Sequence, residues 1–285
     1  MKIKYFFPLL LFIAITSCKQ KVHNQITSQK EYNYGTQNDS ALFHFNKGWE
    51  YIMDYGQWSL SENAFRKAVA FDSSFVIGKS LVGKISDDLN ERIRLLNEIN
   101  LEKSKESKDN QLLLEVTLAT LELFNARDQK QKLETNFYSN FKKIAENNYR
   151  EFIHKYPNET YIKAEYIEIL QSNYGSKIAL DSLHLLTTEK QKEIPFFISY
   201  AATLESDLGN YKKALLIADE FNTKINNKNI PQPYVLYASI YLKMDSLSLA
   251  KSQIEKALEL DPKHVFAQRF KNEIDSKLNS NKDRL

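Results

Sequence analysis

From residue 41 onward, aliphatic and aromatic side chains recur at intervals of three and four rather than alternating, and no Asn-Gly or Asp-Gly pair sits between strand-like runs. That is the helical period, so the pattern predicts helices throughout and no sheet. Breakers are few and spaced: Pro157, Pro195, Pro231, Pro233 and Pro262, with Gly56, Gly175 and Gly209 between helical stretches. Residues 19–40 are polar, lack the period and end on Asp39 and Ser40 as helix-capping candidates. They are read as a flexible tether, and a coil of that length reaches roughly 25 Å.

The punctuation repeats. Ala250, Ala214, Ala179 and Ala145 stand 36, 35 and 34 residues apart, each within a helical stretch. In the last unit Tyr234, Tyr237, Ala238 and Tyr241 share one predicted helix, and Ala250, Ile254 and Ala257 share the next, which Pro262 stops. Small Ala238 and Ala250 let two antiparallel helices cross closely, while the tyrosines and Ile254 fill the space on either side. This arrangement resembles the tetratricopeptide repeat, with Ala145, Ala179, Ala214, Ala238, Ala250 and Ala257 at packing positions.

The resemblance implies an all-α fold, a right-handed α-solenoid of antiparallel helix pairs over residues 41–285. Its clearest repeats are 158–191, 195–228 and 231–264, and residues 265–278 form a capping helix that solvates the last of them. Departures are visible. Lys163 and Glu205 stand where bulky apolar residues are usual, no proline closes the unit ending near Lys228, and Gly48 and Trp49 are in swapped order in an N-terminal unit. Between Ser74 and Gln131 only helices can be read.

In tetratricopeptide proteins the first helix of each repeat lines a concave surface. Carried over by position, this implies a partner-binding groove of Tyr161, Ala164, Glu165 and Glu168, then Phe196, Ser199, Tyr200 and Thr203, then Gln232, Val235, Leu236 and Ser239. The lysine, arginine and asparagine clamp with which chaperone-binding members hold a C-terminal carboxylate is absent. A neutral groove with Tyr161, Phe196 and Tyr200 suits an extended or helical protein segment. The alternative is that these aromatics pack against neighbouring repeats.

The first residues change where such a protein would act. Lys2 and Lys4 precede an apolar stretch from Tyr5 to Ile15, too short to span a bilayer and interrupted by Pro8, so residues 1–17 read as a secretory signal. Ile15, Thr16, Ser17 and Cys18 resemble the lipobox of bacterial lipoproteins. That resemblance implies cleavage before Cys18 and acylation, palmitate included, of the chain's single cysteine. Two or three acyl chains hold a protein at a membrane lastingly. Lys19, in place of the aspartate of inner-membrane lipoproteins, implies the outer membrane of a Gram-negative envelope, with the periplasmic face expected.

Removing residues 1–17 takes away two lysines and lowers the formal charge from +3 to +1, so nothing points to nucleic acid. With no other cysteine, disulfides and thiolate metal sites are excluded. Gly78, Lys79 and Ser80 imitate the end of a phosphate-binding loop, but the required glycine five residues earlier is Ser73 and the preceding stretch is helical. The five histidines never pair at three or four residues, and Glu165 with Glu168 reads as a helix face rather than a catalytic pair. No cofactor, metal or enzymatic activity is expected. The expectation is a lipid-anchored adaptor for another envelope protein. Alternatives are a glycan-binding outer-membrane lipoprotein, an accessory subunit of outer-membrane protein assembly, or an enzyme hidden in residues 74–131.

Overall fold

A computed structural model describes residues 32–282, and among them there is no strand. Cys18, the signal segment and the first part of the expected tether lie outside the described residues. Fourteen α-helices follow one another among the described residues. The first pair is α1 (Asp39–Trp49), extended by a π-helical turn over Glu50–Asp54, and α2 (Trp58–Phe71). Then come α3 (Val76–Ile85), α4 (Leu89–Glu102), α5 (Lys108–Asp128) and α6 (Phe137–Lys155). The predicted repeats are α7 (Thr160–Tyr174) with α8 (Ser176–Leu186), α10 (Pro195–Asp207) with α11 (Tyr211–Ile225), and α12 (Gln232–Lys243) with α13 (Leu247–Leu260). A single turn, α9 (Glu189–Lys192), separates the first two, and α14 (Val265–Lys282) caps the array. Each helix packs on its neighbours in sequence, giving an all-α, tetratricopeptide-like repeat solenoid.

Ala145, Ala179, Ala214, Ala238, Ala250 and Ala257 have no exposed surface, and apolar residues of adjacent helices close over them. A methyl group is the largest side chain that lets paired helices approach so closely at this spacing. The two charged departures are buried and partnered. The Lys163 ammonium, 2% exposed, donates to Pro157 O at 2.7 Å, Leu186 O at 2.8 Å and Gln191 Oε1 at 2.6 Å. It thereby ties the α6–α7 turn to the end of α8 and to α9, and burial pushes its pKa down to about 8. Glu205 accepts from Asn210 Nδ2 at 2.8 Å and pairs with Lys213 at 2.6 Å, fastening the α10–α11 turn. Where no proline closes the unit near Lys228, α11 ends instead on Asn226 in the left-handed region, φ 44°.

Two expectations change. The tether does not run to residue 40: Tyr34 is 3% exposed, and its hydroxyl donates to Glu159 Oε2 at 2.5 Å. Tyr32 packs its ring on Phe152 and Tyr156 and donates to Asn110 Oδ1 at 2.7 Å. Two tyrosines carry enough apolar area to order a polar segment when a groove between helices receives them, and a search for helical period does not register that. The cap of α1 is likewise Asn38, whose Oδ1 accepts from Ala41 N–H at 3.1 Å, one residue before the expected caps. Residues 73–83, the phosphate-loop look-alike, lie mostly in α3, buried from Val76 to Gly83. Lys79 there is paired with Glu98 at 2.5 Å, and the Ser80 hydroxyl donates to Ile77 O.

Candidate partner groove and the segment that fills it

The first hairpin crosses the groove face. The π-helical turn holds one more residue per turn than an α-helix, which re-aims the side chains at its end. Asp54 points into the groove: its Oδ1 accepts the N–H of Phe196 at 3.1 Å, and its Oδ2 accepts the hydroxyl of Tyr161 at 3.0 Å. Phe196 is the second residue of α10, whose Ile194 cap supplies no side chain, so Asp54 caps that helix from 142 residues away.

The exchange is reciprocal. Asp261, in the α13–α14 turn, accepts from Ser59 N–H at 3.0 Å and Ser59 Oγ at 2.7 Å, capping α2, whose Gln57 supplies no side-chain cap. Tyr55 O accepts the N–H of Gln232, the first residue of α12, at 3.1 Å. Gly56 stands between them with φ +64°, and a Cβ there would lie 2.7 Å from Gln232 Oε1 and 2.8 Å from His264 Nε2. Both the conformation and the approach require glycine. Lys263 pairs with Glu62 at 2.8 Å, and Trp58 sits against His264 and Phe266. The helical array therefore closes on itself through a seam of shared helix caps.

The groove residues read from the sequence divide accordingly. Tyr161, Phe196 and Gln232 meet the hairpin tip, and the Tyr161 ring stacks on Trp49 at 6.0 Å. Tyr200 stacks on Phe196 at 5.2 Å and donates its hydroxyl to Gln171 Oε1. Ser199, Thr203 and Ser239 donate to carbonyls of their own helices, those of Phe196, Ser199 and Leu236. Ala164, Val235 and Leu236 are buried between repeats. An open aromatic groove is thus not what these side chains form; they are covered by the chain itself.

Glu165 and Glu168 are partly buried rather than a freely solvated helix face. Glu165 accepts from Lys84 Nζ at 2.7 Å and from Tyr149 OH at 3.2 Å. Lys84 also lies 5.6 Å from the Trp49 ring centroid. Burial, then the Glu165 charge, pushes Glu168 up to about 8. Burial likewise raises Asp54 to about 7, opposed by the bonds from Phe196 and Tyr161. His264, 1% exposed, is pushed down to about 4 by burial.

The residues missed in the sequence are Asp54, Tyr55, Ser59, Asp261 and His264. Each sits at a helix end, where an acid or serine reads as a local cap. Nothing local marks the helix it serves across the seam. Among the described residues, no group of three His, Cys, Asp or Glu could hold a metal, and no helix is long and apolar enough to cross a membrane.

A chain of stacked antiparallel helix pairs with alanines at the crossings has an all-α, tetratricopeptide-like helical-repeat fold. Residues 231–264, which are α12, α13 and the turn after them, match the family model described as tetratricopeptide repeat. No curated protein matches the chain.

Proposed function

We propose that the protein is a lipid-anchored tetratricopeptide adaptor that binds another protein at the periplasmic face of a Gram-negative outer membrane. Tetratricopeptide repeats serve in general as protein-interaction scaffolds, which supports a protein partner over a substrate. One observation carries the reading: the groove face already holds a polypeptide segment, through the N–H groups of Phe196 and Gln232 and the Tyr161 hydroxyl. A surface that binds main chain and a carboxylate in this way is built for protein segments. The anchor rests on Ile15–Thr16–Ser17–Cys18. The fold is of a class whose members are typically scaffolds without catalysis.

Two experiments test it. Photo-crosslinking residues placed at Met53 and Gln232 in cells are expected to trap one recurring envelope protein; capture of none opposes the adaptor. Cys18→Ala is expected to release the protein from the membrane fraction, and undiminished membrane association of that variant defeats the anchor.

A further inference from the structure

We infer that the tip of the first hairpin, residues 50–59, is a cis-ligand of the groove, and that the partner is a protein segment of the same chemistry: an acidic residue followed by a free main-chain carbonyl, flanked by aromatic side chains, which takes the tip's place. The inference rests on the adaptor reading and specifies what the groove accepts.

The groove side of the seam consists of donors. Phe196 N–H and Gln232 N–H are first-turn amides of α10 and α12 that donate outside their own helices, which have 13 and 12 residues and no side-chain cap of their own, and Tyr161 adds a hydroxyl. Donors at the positive ends of two helices select acceptors, here a carboxyl group and a carbonyl, and reject a cationic segment. The tip satisfies them with the Asp54 carboxylate and the adjacent Tyr55 carbonyl. Its apolar share is small: Met53 against the Phe196 and Tyr200 cluster, and Trp58 against His264 and Phe266.

The seam also differs in kind from the contacts between successive helices. Those bury alanines, leucines and phenylalanines, whereas from Asp54 onward the seam is held by hydrogen bonds, the Lys263–Glu62 ion pair and the single Trp58 ring. Two buried polar atoms beside it, Trp49 Nε1 and His264 Nε2, have no partner, and His264 Nε2 is aimed at Gly56 in the tip. Hydrogen bonds exchanged for equivalent ones cost little net free energy, and an under-satisfied interface has more to gain from another occupant. Opening the seam leaves the first hairpin attached, because Phe45 and Phe65 remain packed with Phe75 in the core.

The test uses the chain from residue 19 to 285 and a fluorescent peptide of residues 47–59, read by anisotropy. The variant carrying Asp54→Ala and Ser59→Ala, both on the tip side, which opens the seam and leaves the groove intact, is expected to bind the peptide at least about tenfold more tightly than wild type, whose closed fraction competes. A peptide with Asp54→Ala is expected to bind neither protein. A folded double variant that ignores the peptide, or that binds both peptides equally, overturns the inference. Should the double variant not fold, hydrogen exchange in the wild type decides. The Phe196 and Gln232 amides are expected to exchange at least about tenfold faster than the Ala214 and Ala250 amides, since local opening outpaces global unfolding. Equal protection overturns the inference. Either failure leaves the adaptor reading to the crosslinking result.

Discussion

Asp54 and Phe196 stand 142 residues apart in sequence and share a hydrogen bond of 3.1 Å, from the Phe196 N–H to the Asp54 carboxylate. The first hairpin thereby completes a helix in a repeat near the far end of the array. Asp54→Ala strands that amide and the Tyr161 hydroxyl in a buried site, an expected loss of about 1 to 3 kcal/mol. The check is a urea titration by circular dichroism: the midpoint falls while the slope is retained. An unchanged midpoint would show that the seam contributes nothing to stability.

The seam also exchanges protons. Burial raises Asp54 from 3.8 to about 7, with Glu50 adding to it and Tyr161 and the α10 N-terminus opposing. Burial lowers His264 from 6.5 to about 4, with Asp261 opposing. Between pH of about 4 and 6.5 the closed form holds a proton on Asp54 that the open form carries on His264, so their contributions cancel. Each single variant removes the cancellation. In His264→Gln, Asp54 remains, and stability relative to wild type falls as pH rises from about 4 to 7. In Asp54→Asn, His264 remains, and relative stability falls as pH drops from about 6.5 to 4. Urea midpoints at several pH values in that range give the two slopes, and slopes of one sign contradict the assignment.

Lys163→Met is expected to destabilise by about 3 kcal/mol, because two carbonyls and the Gln191 amide oxygen lose their only charged donor in a site that water does not reach. Denaturant unfolding measures the loss. A loss below about 0.5 kcal/mol would place Lys163 among surface substitutions.

Gly48→Ala tests the irregular first unit. A Cβ there would lie 2.4 Å from the Phe65 ring, so the ring must move within a core it shares with Phe45 and Trp49. Overpacking of that kind costs about 1 to 3 kcal/mol. Thermal melting reads it, and the double variant with Phe65→Leu is expected to recover part of the loss, which a purely local helix effect would not allow.

What the order of residues determined by itself was the helical class and the alanine crossings. Helix period, breakers and a 34-to-36-residue spacing are local quantities, so Ala179, Ala214 and Ala250 could be assigned to crossings once the tetratricopeptide resemblance of the last unit set the register. The tertiary structure decided what covers the groove. Tyr161, Phe196 and Gln232 were correctly placed on first helices, yet their occupant, Asp54 to Ser59, lies more than a hundred residues away and reaches them only because the array closes on itself. Tyr32 and Tyr34 show the same limit, polar in their neighbourhood and packed by helices far along the chain. Period and propensity describe how a segment relates to its neighbours in sequence. A helix cap supplied across a seam depends on where two distant ends meet, and that is settled by the accumulated rotation of every helix pair between them.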